Sequence, residues 1–315
     1  MESNYSAIST PPQIVAANMN AAEGKTELPL MRMILLGIFA GMFIAGGASA
    51  SSLAMHAISN VGLARFVAGA IFPVGLMMIV LVGGELFTGD CLMIMGCVHG
   101  KFSAVKMIKV LVVVYLSNFI GSVIFAELVN LSGQYSYTNG LLGAFTIKVA
   151  MGKVNLSFGA AFASGILCNI FVCMAVLMAM AAKDISGKIW AIFFPILTFI
   201  VSGYEHCVAN MYYIPAGIFA KANSTYAAVA MESYGYTTLQ LESLNWSTIL
   251  KDILAWLANQ VTALMGGAVN VIGNVTSGIV NAVIGIVFAI YALGRKEILA
   301  SQGRRILYAI LSERR

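Results

Sequence analysis

A chain of 315 residues is long enough for two soluble domains, but 60% of these residues are apolar and only 10% are charged. A soluble surface needs about a quarter of its residues charged, so the composition excludes a water-facing globule and makes lipid the natural solvent. The net charge of +5 would suit nucleic acid only if it formed one basic face, and its distribution along the chain argues otherwise.

Residues 1–30 are polar and lack the basic-then-apolar layout of a cleavable signal. They are read as a cytoplasmic segment in which 11–23 forms a helix on the inner membrane face. Six apolar stretches follow, near 31–55, 64–98, 104–131, 156–182, 188–220 and 261–293. Each reaches the roughly 20 residues needed to cross a bilayer. The chain therefore divides into the N-terminal segment, a six-span transmembrane pore domain over 31–293 and a cytoplasmic tail over 294–315. The polar stretch 222–258 is an external loop with a short amphipathic helix, and 302–312 is a second surface helix.

Stretches two and five exceed one plain span and carry polar residues at their centres. The first interruption is Gly83-Gly84-Glu85-Leu86-Phe87-Thr88-Gly89-Asp90; the second is Ser202-Gly203-Tyr204-Glu205-His206-Cys207, with Asn210 following. Broken backbone at membrane depth is tolerated only where it is buried in protein or lines a cavity. Orientation follows from the basic residues. With both termini inside, the outer segments hold only Arg65, Lys148, Lys153, Lys221 and Lys251 of the 18 Lys and Arg. Membrane orientation thus accounts for the positive charge, and nucleic acid drops out.

The predicted fold class is an all-α integral membrane protein of six helices built as a 3+3 inverted repeat, with helices two and five broken. Each half has a Gly/Ala-rich first span, a middle span with a carboxylate beside glycine (Glu85, Glu205), and a third span with Asn before Gly (Asn118 and Gly121; Asn274 and Gly278). Three spans per half place the halves in opposite orientation and put the functional site at mid-membrane.

Ionisable residues inside a bilayer are functional candidates by default. Glu85 and Glu205 sit at the breaks, where the bland role is to accept hydrogen bonds from freed backbone N–H groups. Asp90 reads as a cap for the helix resuming at Cys91. His206 and Thr88 occupy the two breaks, and a ring nitrogen with a hydroxyl can hydrogen-bond a small oxyanion or pass a proton. Lys148 and Lys153 stand just before span four, where cations concentrate anions or simply snorkel to the interface. The five cysteines lie in apolar segments without paired spacing and read as packed hydrophobes. No cofactor or metal is expected, and no nucleophile–base pair suggests an enzyme.

Glu85-Leu86-Phe87-Thr88, Lys153 ahead of Phe158, Cys168-Asn169-Ile170-Phe171-Val172-Cys173, and Ser202-Gly203-Tyr204-Glu205-His206 through Ala209-Asn210-Met211 resemble the formate/nitrite transporter family over about residues 30 to 220. The resemblance implies a homopentamer of aquaporin-like protomers in the plasma membrane, each with its own pore. It places Phe72 and Phe199 at an outer constriction and Leu76 and Leu86 at an inner one. Thr88 and His206 flank the chamber between, Lys153 attracts anions from outside, and Asn169 and Asn210 line or support the pore. The cargo implied is formate, nitrite or hydrosulfide, with a proton as possible partner. The last span departs from the family: Val269-Asn270-Val271-Ile272-Gly273-Asn274 lacks the usual proline-valine-threonine run. A neutral-solute pore is the rival from another class, but the chain has none of the paired Asn-Pro-Ala elements such a pore would show.

Overall fold

The computed structural model describes residues 8–249 together with Lys251 and Ala255. Apart from an isolated antiparallel bridge between Ile8 and Ala182, regular structure there is helical. The order is α1 (Pro11–Thr26), α2 (Leu30–Met55), α3 (Val61–Ile71), α4 (Val74–Val82), α5 (Phe87–Asp90), α6 (Ile94–Val98) and α7 (Ala104–Leu131). It continues with α8 (Leu141–Val154), α9 (Phe158–Ala181), α10 (Ile185–Ser202), α11 (Cys207–Lys221), α12 (Ser224–Tyr234) and α13 (Thr238–Ser243). Single 3-10 turns occupy Cys91–Met93 and Gln134–Ser136.

Among the described residues, five units are long and apolar enough to cross a membrane: α2, the stretch Val61–Val82 made of α3 and α4, α7, α9 and α10. The stretch predicted as the sixth span, 261–293, and the tail with its 302–312 segment lie outside the described residues. Large apolar side chains face outward along these helices, including Phe39, Val112, Leu116, Ile120, Trp190 and Phe194. That is the reverse of a soluble surface and the arrangement a hydrocarbon solvent demands. Helix starts are fixed by short polar caps: Ser103, Ser157 and Asp184 accept from the backbone N–H of Lys106, Ala160 and Gly187.

The packing rests on small residues. Where α2 crosses α7, a side chain at Gly41 would meet the Asn118 backbone, and one at Gly121 would meet the Ile38 carbonyl. Backbones this close are typical of membrane helix pairs, where dispersion and hydrogen bonds replace the hydrophobic drive. Polar clamps complete the seam: Asn118 Nδ2 donates to the Gly37 carbonyl at 2.8 Å, and Ser122 Oγ to the Gly41 carbonyl at 3.2 Å.

One element differs from the sequence-based reading. Lys148 and Lys153 were expected in a simple external segment ahead of span four, whereas they belong to α8, a 14-residue helix that packs closely against α11. At about 1.5 Å per residue the 14-residue α8 is some 21 Å long, too short to cross the bilayer core. α12 packs in turn against α8, with Tyr226 filling the space over Gly140 and Gly143.

Gly121→Ala should lower the thermal midpoint of the detergent-solubilised protein clearly, consistent with the about 1–3 kcal/mol cost of overpacking a tight contact. Gly24→Ala, where an added Cβ meets nothing within 4 Å, serves as the control and should leave it unchanged or slightly raised. Equal midpoints for the two variants would show that the α2–α7 contact is not tight.

Candidate functional site

Two chain breaks build the site. The first follows α4, where Gly83 adopts φ +110°, a conformation that favours glycine. Two of the N–H groups freed there are met by neighbours: Glu85 N–H donates to the Leu36 carbonyl at 3.3 Å, and Phe87 N–H to Asn118 Oδ1 at 3.0 Å. Asn118 Nδ2 returns a bond to the Glu85 carbonyl at 2.9 Å. The second break follows α10, where Gly203 at φ +76° closes the helix. Gly203 N–H donates to the Ile200 carbonyl and Tyr204 N–H to that of Phe199, at 3.0 and 3.1 Å, the pairing of a Schellman end. Glu205 N–H is taken by Ser164 Oγ at 2.9 Å.

The expected acceptors of these loop N–H groups, Glu85 and Glu205, are used differently. Glu85 Oε2 lies 2.5 Å from Lys25 Nζ, and Asp90 Oδ1 lies 2.6 Å from the same nitrogen. Asp90 therefore holds a lysine instead of capping a helix. Glu205 Oε1 lies 2.6 Å from Lys153 Nζ, while its Oε2 accepts from Asn210 Nδ2 at 2.9 Å. Lys153 is thus ion-paired, with its ammonium 5.8 Å from the Tyr213 ring centre.

Between the breaks, Thr88 Oγ1 and His206 Nε2 lie 3.3 Å apart, both buried. The other ring nitrogen, Nδ1, accepts from the Ala209 backbone N–H at 3.1 Å and so caps α11. An accepting Nδ1 puts the hydrogen of the neutral ring on Nε2, so the imidazole presents an N–H beside the threonine hydroxyl. Cys173 Sγ donates to the Thr88 carbonyl at 3.7 Å, which steadies that residue from α9.

Apolar groups bracket this pair. Phe72 and Phe199 meet edge to face with centroids 5.7 Å apart, and their rings lie 6.3 and 5.7 Å from that of His206. Leu76 and Leu86 are buried in the same core. Two cavities approach the bracket. A wide one of about 750 Å³ reaches Phe199 and His206, and its wall includes Met55, Arg65, Lys148, Lys153, Glu205 and Asn210. A narrow one of about 290 Å³ reaches Leu76 and Leu86 and is lined by Asn18, Lys25, Asp90 and Lys188. α1 walls the narrow cavity just before α2 begins, and Met55 at the end of α2 walls the wide one. The two cavities therefore lie at opposite ends of a helix about 39 Å long by its 26 residues.

Most of the sequence-predicted residues converge here. Thr88, Phe72 and Asn169 line neither of these cavities; Thr88 and Phe72 sit against His206, whereas the Oδ1 of Asn169 is buried without a protein partner, as is that of Asn210. Lys25, Asn118, Ser164 and Arg65 were not anticipated as site residues. α1 in particular does more than lie on a surface. Asn18 Nδ2 donates to the Leu92 carbonyl at 3.1 Å, and Lys101 binds Glu23 and Asn20 at 3.0 and 2.8 Å. Burial pulls the Lys25 ammonium down, but Asp90 and Glu85 together outweigh it and hold its pKa above the ordinary lysine range. A polar N-terminal stretch gives no sequence signal for such docking.

A family model described as Formate/nitrite transporter matches residues 12–249. The chain is 37% identical over 232 residues to a protein of Methanothermobacter thermautotrophicus named "Probable formate transporter", covering 68% of this chain and 85% of that one. It is 36% identical over 211 residues to "Formate channel FocA" of Haemophilus influenzae, covering 66% of this chain and 72% of its relative. Among solved structures, "Pentameric formate channel with formate bound" superposes with a TM-score of 0.61 at 28% identity, over 70% of this chain and 87% of that one. A match across three quarters of the sequence, on a helical membrane scaffold with two facing chain breaks, makes this multi-pass membrane protein a member of the formate/nitrite transporter family, and a transporter instead of an enzyme.

Proposed function

We propose that this protein carries formate across the plasma membrane as a homopentamer, through one pore per protomer, with Thr88 and His206 as the donors that meet the anion at mid-membrane. The observation that carries the reading is the pair of buried donors, 3.3 Å apart, packed among Phe72, Phe199, Leu76 and Leu86 with a charged cavity on either side. The names of the relatives above support formate; nitrite and hydrosulfide are the alternatives of similar size and charge. Family membership removes the neutral-solute pore.

An isolated charge entering an apolar ring faces a desolvation cost of tens of kcal/mol in the ideal limit. Neutral N–H and O–H donors fixed at the centre offset part of it. Protonation of the anion as it passes the phenylalanine ring removes the rest, which makes the proton a co-substrate drawn from water in the wide cavity, while neutral His206 supplies a hydrogen bond. By the distribution of Lys and Arg, the wide cavity is external, the narrow one is internal, and both termini are cytoplasmic.

The ion pairs also support the 3+3 inverted repeat and an aquaporin-like protomer with interrupted second and fifth spans. Lys25 ends α1 five residues before Leu30 opens α2, and Lys153 ends α8 five residues before Phe158 opens α9. Each lysine then pairs with the glutamate of a break, Glu85 or Glu205. The repeat unit on this reading is a short helix, three spans, and a lysine that reaches from the first element to the interrupted one.

His206→Ala and Thr88→Val should each lower formate uptake into proteoliposomes by at least about tenfold, on the scale of a lost hydrogen bond to a charged group, with an unchanged oligomer in size-exclusion chromatography. Uptake at the wild-type rate by either variant would remove that residue from the path. Lys153→Met and Glu205→Gln should each destabilise by about 1–3 kcal/mol, less than a fully buried pair because both side chains keep some solvent contact. The double variant should recover part of the loss. Strict additivity in thermal melts would show that the pair contributes nothing.

A further inference from the structure

The wide cavity holds three cations against one carboxylate: Arg65, Lys148 and Lys153 with Glu205. Two are already engaged, since Lys153 is paired to Glu205 at 2.6 Å and the Lys148 ammonium lies 4.5 Å from the centre of the Tyr234 ring. Arg65, on α3, makes no ion pair or hydrogen bond among the described residues. Its guanidinium has a definite seat nevertheless. A Cβ built on Gly203 would lie 3.2 Å from Nη1 and 3.4 Å from both Cζ and Nη2. Near-equal distances to three atoms of one plane mean that the flat face is turned toward the side-chain position that Gly203 leaves empty, so the N–H edges point sideways. The seat belongs to the turn that leads into Glu205 and His206.

A guanidinium turned face-on to a glycine, with its edges free inside an anion-facing cavity, presents a planar two-pronged donor. That shape matches the two coplanar oxygens of a carboxylate, whereas an ammonium acts as a point charge. We infer that Arg65 is a carboxylate-docking residue at the mouth of the pore, gripping a small monocarboxylate by both oxygens before it meets Phe72 and Phe199. This rests on the anion-carrying reading above and adds to it a place where shape, and not only charge, is selected. The competing role is structural: a cation near the C-terminal end of α10 would favour that helix end through its dipole.

Concentration-dependent formate uptake into proteoliposomes by wild type, Arg65→Gln and Arg65→Lys separates these roles. Arg65→Gln should raise the half-saturating formate concentration by about tenfold, the scale of a lost charge-assisted contact, with maximal flux within about twofold. Arg65→Lys keeps the charge and loses the fork, and should stay raised by at least about threefold. Wild-type half-saturation in Arg65→Lys would overturn the docking role, leaving charge alone. So would a fall in maximal flux without a shift in half-saturation, which is the signature of turn support. If wild type itself takes up no formate, the transport reading fails instead, and the two failures are told apart.

Discussion

The structure depends on one constraint: a polypeptide that stops being helical inside hydrocarbon must find partners for every backbone group it frees. Two breaks meet this requirement in different ways. Residues 83–87 use the Leu36 carbonyl of α2 for the Glu85 N–H and an asparagine from α7, which serves the Phe87 N–H, the Glu85 carbonyl and the Gly37 carbonyl together. Residues 203–206 use their own helix end, plus Ser164 from α9. Both solutions need the supporting helix within hydrogen-bond reach of the loop. That is why small residues line the α2–α7 seam, where Gly41 and Gly121 admit the opposite backbone. Close packing and chain interruption are therefore one design, and Thr88 and His206 reach each other only because the loops that carry them are held on both sides.

With the backbone satisfied elsewhere, the carboxylates at the breaks are free for another task. Each draws a lysine from a short helix at the edge of the membrane domain, Lys25 from α1 and Lys153 from α8. Lys25 lines the narrow cavity with its second partner Asp90, and the Lys153–Glu205 pair lines the wide one, so paired charges stand toward both cavity ends of the donor pair. The pairing anchors the short helices and at the same time reduces the net charge close to the apolar closures. Lys153 is consequently a weaker lure for anions than its position along the chain suggests, and the remaining field of the wide cavity comes from Arg65 and Lys148.

The sequence announced the parts of this site whose signal is a violation of the local pattern. Glu85, Thr88, Glu205 and His206 stand out because polar residues interrupt long apolar runs, and the glycines beside them mark where the helix must turn. Phe72, Leu76, Leu86 and Phe199 carry no such signal, since an apolar residue in an apolar span is unremarkable; only the resemblance to a family singled them out. α8 stayed hidden because 14 residues fall short of a span. Lys25 stayed hidden because its partners, Glu85 and Asp90, are 60 and 65 residues away, and no periodicity encodes a contact of that separation. Asn118 was visible as a repeated Asn-before-Gly feature, but its use as a three-way backbone clamp depends on how closely α2 and α7 approach.

The choice of donors at the centre follows from what a pore has to do. Conduction needs a site favourable enough to be entered and weak enough to be left. A permanent cation between two apolar rings, far from screening solvent, would hold a monovalent anion too firmly to release it. Tying His206 Nδ1 to the Ala209 N–H leaves a neutral ring that offers one N–H, and Thr88 adds one rotatable hydroxyl. Together they replace part of a hydration shell without supplying a full charge. Permanent charge is kept at the mouths, where cavities open to solvent soften its grip, and in the wide mouth Arg65 makes no ion pair, hydrogen bond or ring contact among the described residues, whereas Lys148 lies over Tyr234 and Lys153 is paired to Glu205. On the proposed reading, capture at the rim and weak donation at the centre divide between different residues what a single strong site would do badly.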